Sequence, residues 1–460
     1  MTKKQARKHK IKFTVIQIFF QKQKKVIILS EIKVKLNKVL SNRPLAIDLF
    51  SGCGGMSLGL EAAGFDIAAS VEIDPIHSLI HHYNFPYGAT ICRDIRYLSS
   101  QEILTAVQKK GFNSEIDLVA GGPPCQGFSG MGKRQLNDPR NQLIFEYLRL
   151  VSEIKPKYFI FENVPGLATK KYQQLLQELI DQFNNLGYST VQPIQILDAA
   201  VYGAPQKRKR LIILGYRSDL PPLQYPQHHK SNSYFPLFKS VSSAIADLSK
   251  IPVFIGHDCG VETKQLSYRQ LRKSFSLKPQ GIYALCHQRA KTNLVWGHLG
   301  SRHTSTSIQR FAATNPGKKE AVSHFYRLAP DGLSNTLRAG TSRARGAHTA
   351  PRPIHYQLPR CISIREAARL HTFPDWFQFH RTIWHGFREI GNAVIPLLAK
   401  HLGSEIISHL DIDPNSLTTK KLKQIDNSIL SYKMEQAAAY WQVDSEVIPK
   451  RKKTYSQSYR

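Results

Sequence analysis

With 460 residues, 42% of them hydrophobic and 21% charged, the chain has room for a large core and for more than one domain. Its formal net charge of +31 exceeds what solubility requires, and Lys207-Arg208-Lys209-Arg210, Arg338, Arg343, Arg345 and Arg352 lie away from the Lys-rich ends, so the expected partner is a polyanion, nucleic acid ahead of a membrane surface. The six cysteines are scattered, with no C-x-x-C pair and no Cys/His cluster, which argues against a zinc site and a disulfide framework and for a reducing cytoplasm.

In chain order, residues 1–42 form a basic N-terminal extension. Residues 13–20 are apolar but broken by Gln17 and too short to span a bilayer, and read as neither signal peptide nor anchor. Residues 45–50 are an apolar strand that runs into Ser51-Gly-Cys-Gly-Gly-Met-Ser-Leu-Gly-Leu60, where Leu58, Leu60, Ala62 and Ala63 begin a helix closed by Gly64. The next strand, 67–73, carries Glu72 near its C-terminal end. A helix follows around 75–83, and 89–95 reads as an edge strand carrying Asp94. A helix near 100–109 leads to an apolar run at 116–120, then to Gly121-Gly122-Pro123-Pro124, which can continue neither strand nor helix. Cys125 comes next. Helical spacing at 141–152, a strand at 158–161 tipped by Glu162-Asn163, a helix at 172–186 ended by Gly187, and strands at 190–197 and 210–216 complete the alternation. Such alternation implies an α/β fold, a doubly wound sheet with helices on both faces.

From 217 to 355 the rhythm fails amid Pro-Pro and Tyr-Pro turns, which suggests a second, smaller, irregular domain containing strands. Helical spacing returns at 364–371 and 393–402, so 356–411 completes the domain begun at 43–216. Residues 412–460 are a basic C-terminal extension with a helix near 429–441.

The chemistry-bearing residues fall at strand ends. A glycine turn after a strand, with an acid on the next strand, makes a nucleoside site: backbone N–H groups meet an anion and Glu72 accepts from ribose hydroxyls. A dinucleotide and S-adenosylmethionine both suit it, and Asp94 is placed to accept from an adenine amino group. A thiol on a stiff Pro-Pro turn is held into the cleft where open α/β sheets bind ligands. Glu162 ends a neighbouring core strand and so reaches the same edge, where a carboxyl group can act as acid or hydrogen-bond a ring nitrogen. Arg208 and Arg210, two apart, point to one face, and fixed cations favour the thiolate of Cys125. A thiolate adding to a pyrimidine makes the neighbouring ring carbon nucleophilic, which answers the problem of methylating an unreactive position.

These residues resemble the C5-cytosine-specific DNA methyltransferases of restriction–modification type. Asp48-Leu-Phe-Ser-Gly-Cys-Gly-Gly-Met-Ser-Leu-Gly-Leu60 is similar to the family's first cofactor motif, and Val71-Glu-Ile-Asp-Pro75 to its ribose-binding strand end. Gly122-Pro-Pro-Cys-Gln-Gly-Phe-Ser129 resembles the catalytic loop, Phe161-Glu-Asn-Val-Pro-Gly166 the glutamate motif, and Tyr202-Gly-Ala-Pro-Gln-Lys-Arg-Lys-Arg210 the Q-x-R-x-R element. Ile364-Arg-Glu-Ala-Ala-Arg-Leu370 with Phe373-Pro-Asp375, and Gly391-Asn-Ala-Val-Ile-Pro396, resemble the last two motifs. The likeness runs from about 45 to 403. It implies that Cys125 adds to C6 of a flipped cytosine while Glu162 contacts N3 and the exocyclic amine. It also implies that Arg208 steadies base and phosphate and that Arg210 supports the catalytic loop. Phe50, Gly52, Gly54, Glu72, Asp94, Pro123, Asn392 and Val394 would line the S-adenosylmethionine pocket, with no metal involved. Gln126, Ser129 and Gln206 would contact double-stranded DNA. The resemblance further implies a monomer away from membranes, in the bacterial cytoplasm and associated with the nucleoid, with a cognate restriction endonuclease acting separately. Two departures stand out: Ile395 occupies a position where the family often has proline, and Cys92 one where it often has glycine.

Residues 217–355 fall where the family keeps its target-recognition domain. Within 338–348 the run Arg338-Ala-Gly-Thr-Ser-Arg-Ala-Arg-Gly-Ala-His348 offers glycines for close approach and Arg338, Arg343 and Arg345 as donors to base edges. A relative acting on transfer RNA usually has a small recognition region, so the length of this segment argues for DNA. A nucleotide-dependent dehydrogenase leaves Pro123-Pro124-Cys125 idle, and a non-catalytic DNA-binding regulator leaves Cys125 and Glu162 unexplained.

Overall fold

In the computed structural model, residues 43–124, 142–227, 240–256, 258, 261–262, 294–340, 352–410 and 425–447 are described. Short apolar runs cut off by glycine or proline supply the strands, and amphipathic stretches between them supply the helices. In order these are β1 (Leu45–Leu49), α1 (Gly55–Ala63), β2 (Asp66–Glu72), α2 (Pro75–Asn84), β3 (Ala89–Cys92), α3 (Ser100–Lys109), β4 (Ile116–Gly121), α4 (Gln142–Ile154), β5 (Tyr158–Asn163), α5 (Gln173–Asn185), β6 (Tyr188–Thr190), β7 (Gln195–Asp198) and β8 (Lys209–Arg217).

The sheet runs β3-β2-β1-β4-β5-β8-β6, with β7 also paired to β8. Strands β1 to β5 are mutually parallel; β8 is antiparallel to β5, and β6 and β7 are antiparallel to β8. Every residue of β1, β4 and β5 is buried, as expected when helices cover both faces. Alternate residues divide between two cores: Ala46, Leu118, Ala120 and Ile160 face one, and Ile47, Val119, Phe159 and Phe161 face the other. The chain steps outward from β1 to β3, then returns to β4 on the opposite side of β1. The crevice beyond the C-terminal ends of β1 and β4 is therefore a topological switch point, where such sheets bind ligands.

Two strands differ from expectation. The edge strand stops at Cys92, because Asp94 instead caps a 3₁₀ turn, Ile95–Tyr97. The strand expected over 190–197 is split into β6 and β7; Pro193 falls in the gap, where it has no N–H to give a ladder.

Beyond 217 come α6 (Val241–Ile245), the two-stranded pair β9 (Val261–Glu262) and β10 (Leu294–Val295), α7 (Ser305–Ala313), α8 (Ile364–Leu370), α9 (Ile383–Asn392), α10 (Pro396–Ser408) and α11 (Met434–Trp441). Helix α8 starts at a capping box between Ser363 and Glu366. From it the fully buried Arg369 pairs with Asp375 at 2.6 Å and Asp247 at 2.5 Å, which ties the chain around α6 to the helical region after 356. Helix α10 lies against the small-residue face of α1: a side chain on Gly59 would strike Ala399 and Pro396, and one on Gly403 would lie 2.8 Å from Ala63 Cβ.

Candidate active site

The turn after β1 is built from unusual backbone. Phe50, Gly52 and Gly54 all have positive φ, at 60°, 54° and 102°, and Gly54 is the N-cap of α1. The glycines answer different needs. A Cβ on Gly54 would lie 2.5 Å from a Phe85 ring carbon, and one on Gly55 would strike the carbonyl of Val394; one on Gly52 would meet nothing within 4 Å. Packing therefore requires two of the glycines, while the third leaves space above the turn.

Glu72, at the end of β2, reaches across to this turn. Its Oε2 accepts from Gly52 N at 2.9 Å and its Oε1 from Asp74 N at 2.8 Å, so the carboxylate is aimed before any ligand arrives. Asp74 in turn caps α2 by accepting from Ile76 N and His77 N, and pairs with Arg388 of α9 at 3.0 Å. Cys92 stands opposite Glu72 in the β2–β3 ladder, with its thiol 3.9 Å from the Ile73 carbonyl. Ile395 is the buried N-cap of α10, ahead of Pro396 in its first turn.

Beneath the turn lies a polar chain to which the motifs assigned no role. Asp48, buried in β1, accepts from Ser57 N at 3.0 Å and from the Ser57 hydroxyl, fixing the first turn of α1. The same hydroxyl lies 2.9 Å from His81 Nε2, and His81 Nδ1 lies 3.0 Å from Ser70 Oγ. Burial pushes Asp48 up to about 7 and His81 down to about 3. The signal in the sequence is an acid inside an otherwise apolar strand.

Asp94 is half-buried just beyond β3, as the cap of the 3₁₀ turn, and is held by Arg96 through contacts of 2.6 and 3.0 Å. Burial works against its charge, yet the Arg96 hydrogen bonds outweigh this and hold its pKa below the ordinary value. Asn392 is exposed at the end of α9, Val394 is buried beside Gly55, and the carbonyl of buried Pro123 accepts from Asn163 Nδ2 at 3.3 Å.

On the other side of the switch point, Gly121 pairs with Phe161, so Glu162 stands beside Gly122. A Cβ on Gly122 would lie 2.8 Å from Glu162 Oε2. Glycine is what lets the carboxylate approach the loop that leads to Cys125. The other carboxylate oxygen, Oε1, pairs with Arg210 Nε at 2.6 Å. Cys125, Gln126, Ser129, Arg343 and Arg345 lie outside the described residues.

Two expected residues are placed otherwise. Arg208 precedes β8 and does not share the outlook of Arg210. It is 2% exposed, and its guanidinium donates to the carbonyls of Leu337 at 2.8 Å, Gly391 at 2.9 Å and Ala393 at 3.0 Å. Burial, with the neighbouring Arg210 adding to it, pushes its pKa well below the ordinary value. A side chain so enclosed ties segments together and has no face to offer a phosphate. Gln206 is fully buried too, donating to Leu370 O at 3.2 Å and accepting from Leu337 N at 3.0 Å, so it is not an outward DNA contact. The motif around both residues is belted by the segment after 333: Lys207 N donates to Ser334 O at 2.9 Å, and Thr336 Oγ1 to Lys207 O at 2.6 Å. Arg338, next along that belt, is exposed.

A family model described as C-5 cytosine-specific DNA methylase matches residues 45–408. The chain is 45% identical over 424 residues to the type II methyltransferase M.XorII of Xanthomonas oryzae pv. oryzae, covering 89% of this chain and 95% of that one. It is 31% identical over 407 residues to the type II methyltransferase M.DdeI of Desulfomicrobium norvegicum, covering 82% and 93%. Among solved structures, one described as a candidate DNA modification methyltransferase encoded within an E. coli prophage superposes with a TM-score of 0.67 at 32% identity, over 80% of this chain and all of that one.

Proposed function

The chain belongs to the C-5 cytosine-specific DNA methylase family, and from that premise we propose that it methylates C5 of a flipped cytosine in a specific double-stranded sequence through a covalent bond from Cys125 to C6. The observation that carries this reading is the meeting of two half-sites at one crevice. The Gly52–Glu72 turn lies on one side of the switch point, and the Glu162 carboxylate packs against Gly122 on the other.

The residues fit S-adenosylmethionine as donor: Gly52 leaves room above the turn, Glu72 presents a pre-aimed acceptor to ribose hydroxyls, and Asp94 lies at the next strand end for an adenine amino group. When bound, that group supplies an electrophilic methyl. The protein's own part is to prepare the base. The thiolate of Cys125 gives an electron pair to C6, which leaves C5 nucleophilic. Glu162, fixed by Arg210, contacts N3 and the exocyclic amine and holds the ring in register. Once C5 carries the methyl, loss of its proton returns the electron pair, breaks the bond to Cys125 and restores the thiolate.

We assign base readout to residues 217–355, with Arg338, Arg343 and Arg345 as readers. The modification serves as the protective half of a pair with a separately acting restriction endonuclease, in keeping with relatives named type II methyltransferases. The test is transfer of labelled methyl to DNA and to RNA. DNA alone is expected to take label, and DNA containing 5-fluorocytosine to trap the protein, since fluorine cannot leave as the C5 proton does. Cys125→Ser should abolish both; normal turnover by that variant refutes the covalent mechanism.

A further inference from the structure

The family match ends at residue 408, yet the described chain continues at 425–447 and packs directly behind the cofactor wall. A 3₁₀ turn, Asn427–Ser431, buries Ile429 and Leu430 at 3% and 1% exposure, and α11 buries Ala437 and Ala438. The indole Nε1 of Trp441 donates to Pro75 O at 3.1 Å, and its ring meets His82 edge-on with centroids 5.6 Å apart. Pro75 is the first residue of α2 and directly follows Asp74, whose N–H orients Glu72. One line of contacts thus runs from Trp441 through α2 to the carboxylate that faces the ribose.

A second line starts from the 3₁₀ turn. Arg381 N donates to Leu430 O at 2.8 Å, and the ring of His380 is fixed on both sides. Its Nδ1 accepts from Thr382 N at 3.2 Å, so the proton lies on Nε2, which donates to Tyr432 O at 3.0 Å. His380 N then donates to Glu389 Oε2 at 3.0 Å, and the Glu389 carbonyl lies 3.6 Å from Cys53 Sγ, inside the glycine turn. Both lines end on the two elements that would hold the nucleoside.

We propose that residues 425–447 are a brace for the S-adenosylmethionine pocket, with Trp441 a positioning residue for Glu72. The inference rests on reading Glu72 and the glycine turn as the nucleoside site. A segment that only thickened the core would stabilise the protein without distinguishing cofactor from DNA. A brace on α2 acts on one ligand.

The test uses the full chain carrying Trp441→Ala, Trp441→Phe or Glu72→Ala. S-adenosylmethionine binding is measured by calorimetry without DNA, DNA affinity by gel shift, and kcat at saturating cofactor. Trp441→Ala is expected to weaken cofactor binding ~3- to 10-fold, the scale of a coupling carried through packed contacts, with DNA affinity and saturated kcat within about two-fold of wild type. Trp441→Phe, which keeps a ring and loses only the N–H to Pro75, should recover part of the loss and carries the test if the alanine variant does not fold. Unchanged cofactor affinity in a folded Trp441 variant, with Glu72→Ala weakened, overturns the brace alone. Unchanged affinity in Glu72→Ala overturns the nucleoside reading beneath it. Equal losses for cofactor and DNA would make the segment a general support and overturn the proposal.

Discussion

Replacing Arg208 with alanine separates a staple from a phosphate contact. The guanidinium donates three hydrogen bonds of 2.8 to 3.0 Å to the carbonyls of Leu337, Gly391 and Ala393, which come from two distant stretches of chain. A charged donor contributes about 1.5 kcal/mol net per bond at the low end, so three contribute ~4–5 kcal/mol. Burial of the cation offsets part of that, and Nε has no hydrogen-bond partner among the described residues, which leaves ~3–4 kcal/mol for the substitution. Against a total stability of about 5–15 kcal/mol, this is a large share. Urea unfolding of wild type and Arg208→Ala should show a lower midpoint with a similar slope. The salt dependence of DNA binding, measured under conditions where the variant is folded, should be unchanged. Full stability together with a log–log salt slope shallower by ~0.9 would mean that one phosphate contact had been lost, and would refute the staple.

Glu162→Gln keeps the shape of the side chain but weakens its hold on Arg210, now 2.6 Å from Oε1, and with it the proposed contact with the base. Methyl transfer should fall by ~10²-fold or more while DNA binding changes little; a loss confined to DNA affinity would make Glu162 a recognition residue. Glu389 gives a pH signature. Burial pushes its carboxyl from 4.5 up to about 8, with the nearby charge of Asp74 adding to the rise. The folded state therefore keeps a proton that the unfolded chain has released. The stability from this group is complete below pH ~4.5 and is lost as the pH climbs toward about 8. Glu389→Gln cannot ionise, so its stability relative to wild type should improve between about pH 5 and about pH 8.5 in urea titrations. A difference independent of pH would show that Glu389 ionises as freely folded as unfolded.

The parallel half of the sheet was legible because β1, β2, β4 and β5 are largely apolar runs that reach Gly or Pro at or soon after their ends, and because Glu72 and Glu162 stand at strand ends. Helix α9 was not expected although Ile383, Phe387 and Ile390 recur at helical spacing, because Gly386 and Gly391 fall among them; in the fold it is held by neighbours such as Asp74, through Arg388. Gln206 and Arg208 show where pattern misleads. A basic, polar motif reads as surface, but the segment bearing Leu337 and the end of α9 close over it, contacts more than a hundred residues away in sequence. Asp48 was visible as an anomaly and His81 was not, because nothing local reveals that Ser57 joins them.

The seam between α1 and α10 bears on how the chain is made. Helix α1 follows the first strand, and its glycine face stays bare until residues 396–408, which fill it, have left the ribosome. At ~5–20 residues per second, that is a wait of tens of seconds during which the glycine turn has no lid of helix to hold it. The glycine turn therefore gains this packing support only once residues 396–408 have been made. The same seam makes the two ends natural complementing fragments: a chain cut in the connection between β10 and α7 should regain its fold only when both pieces are supplied together.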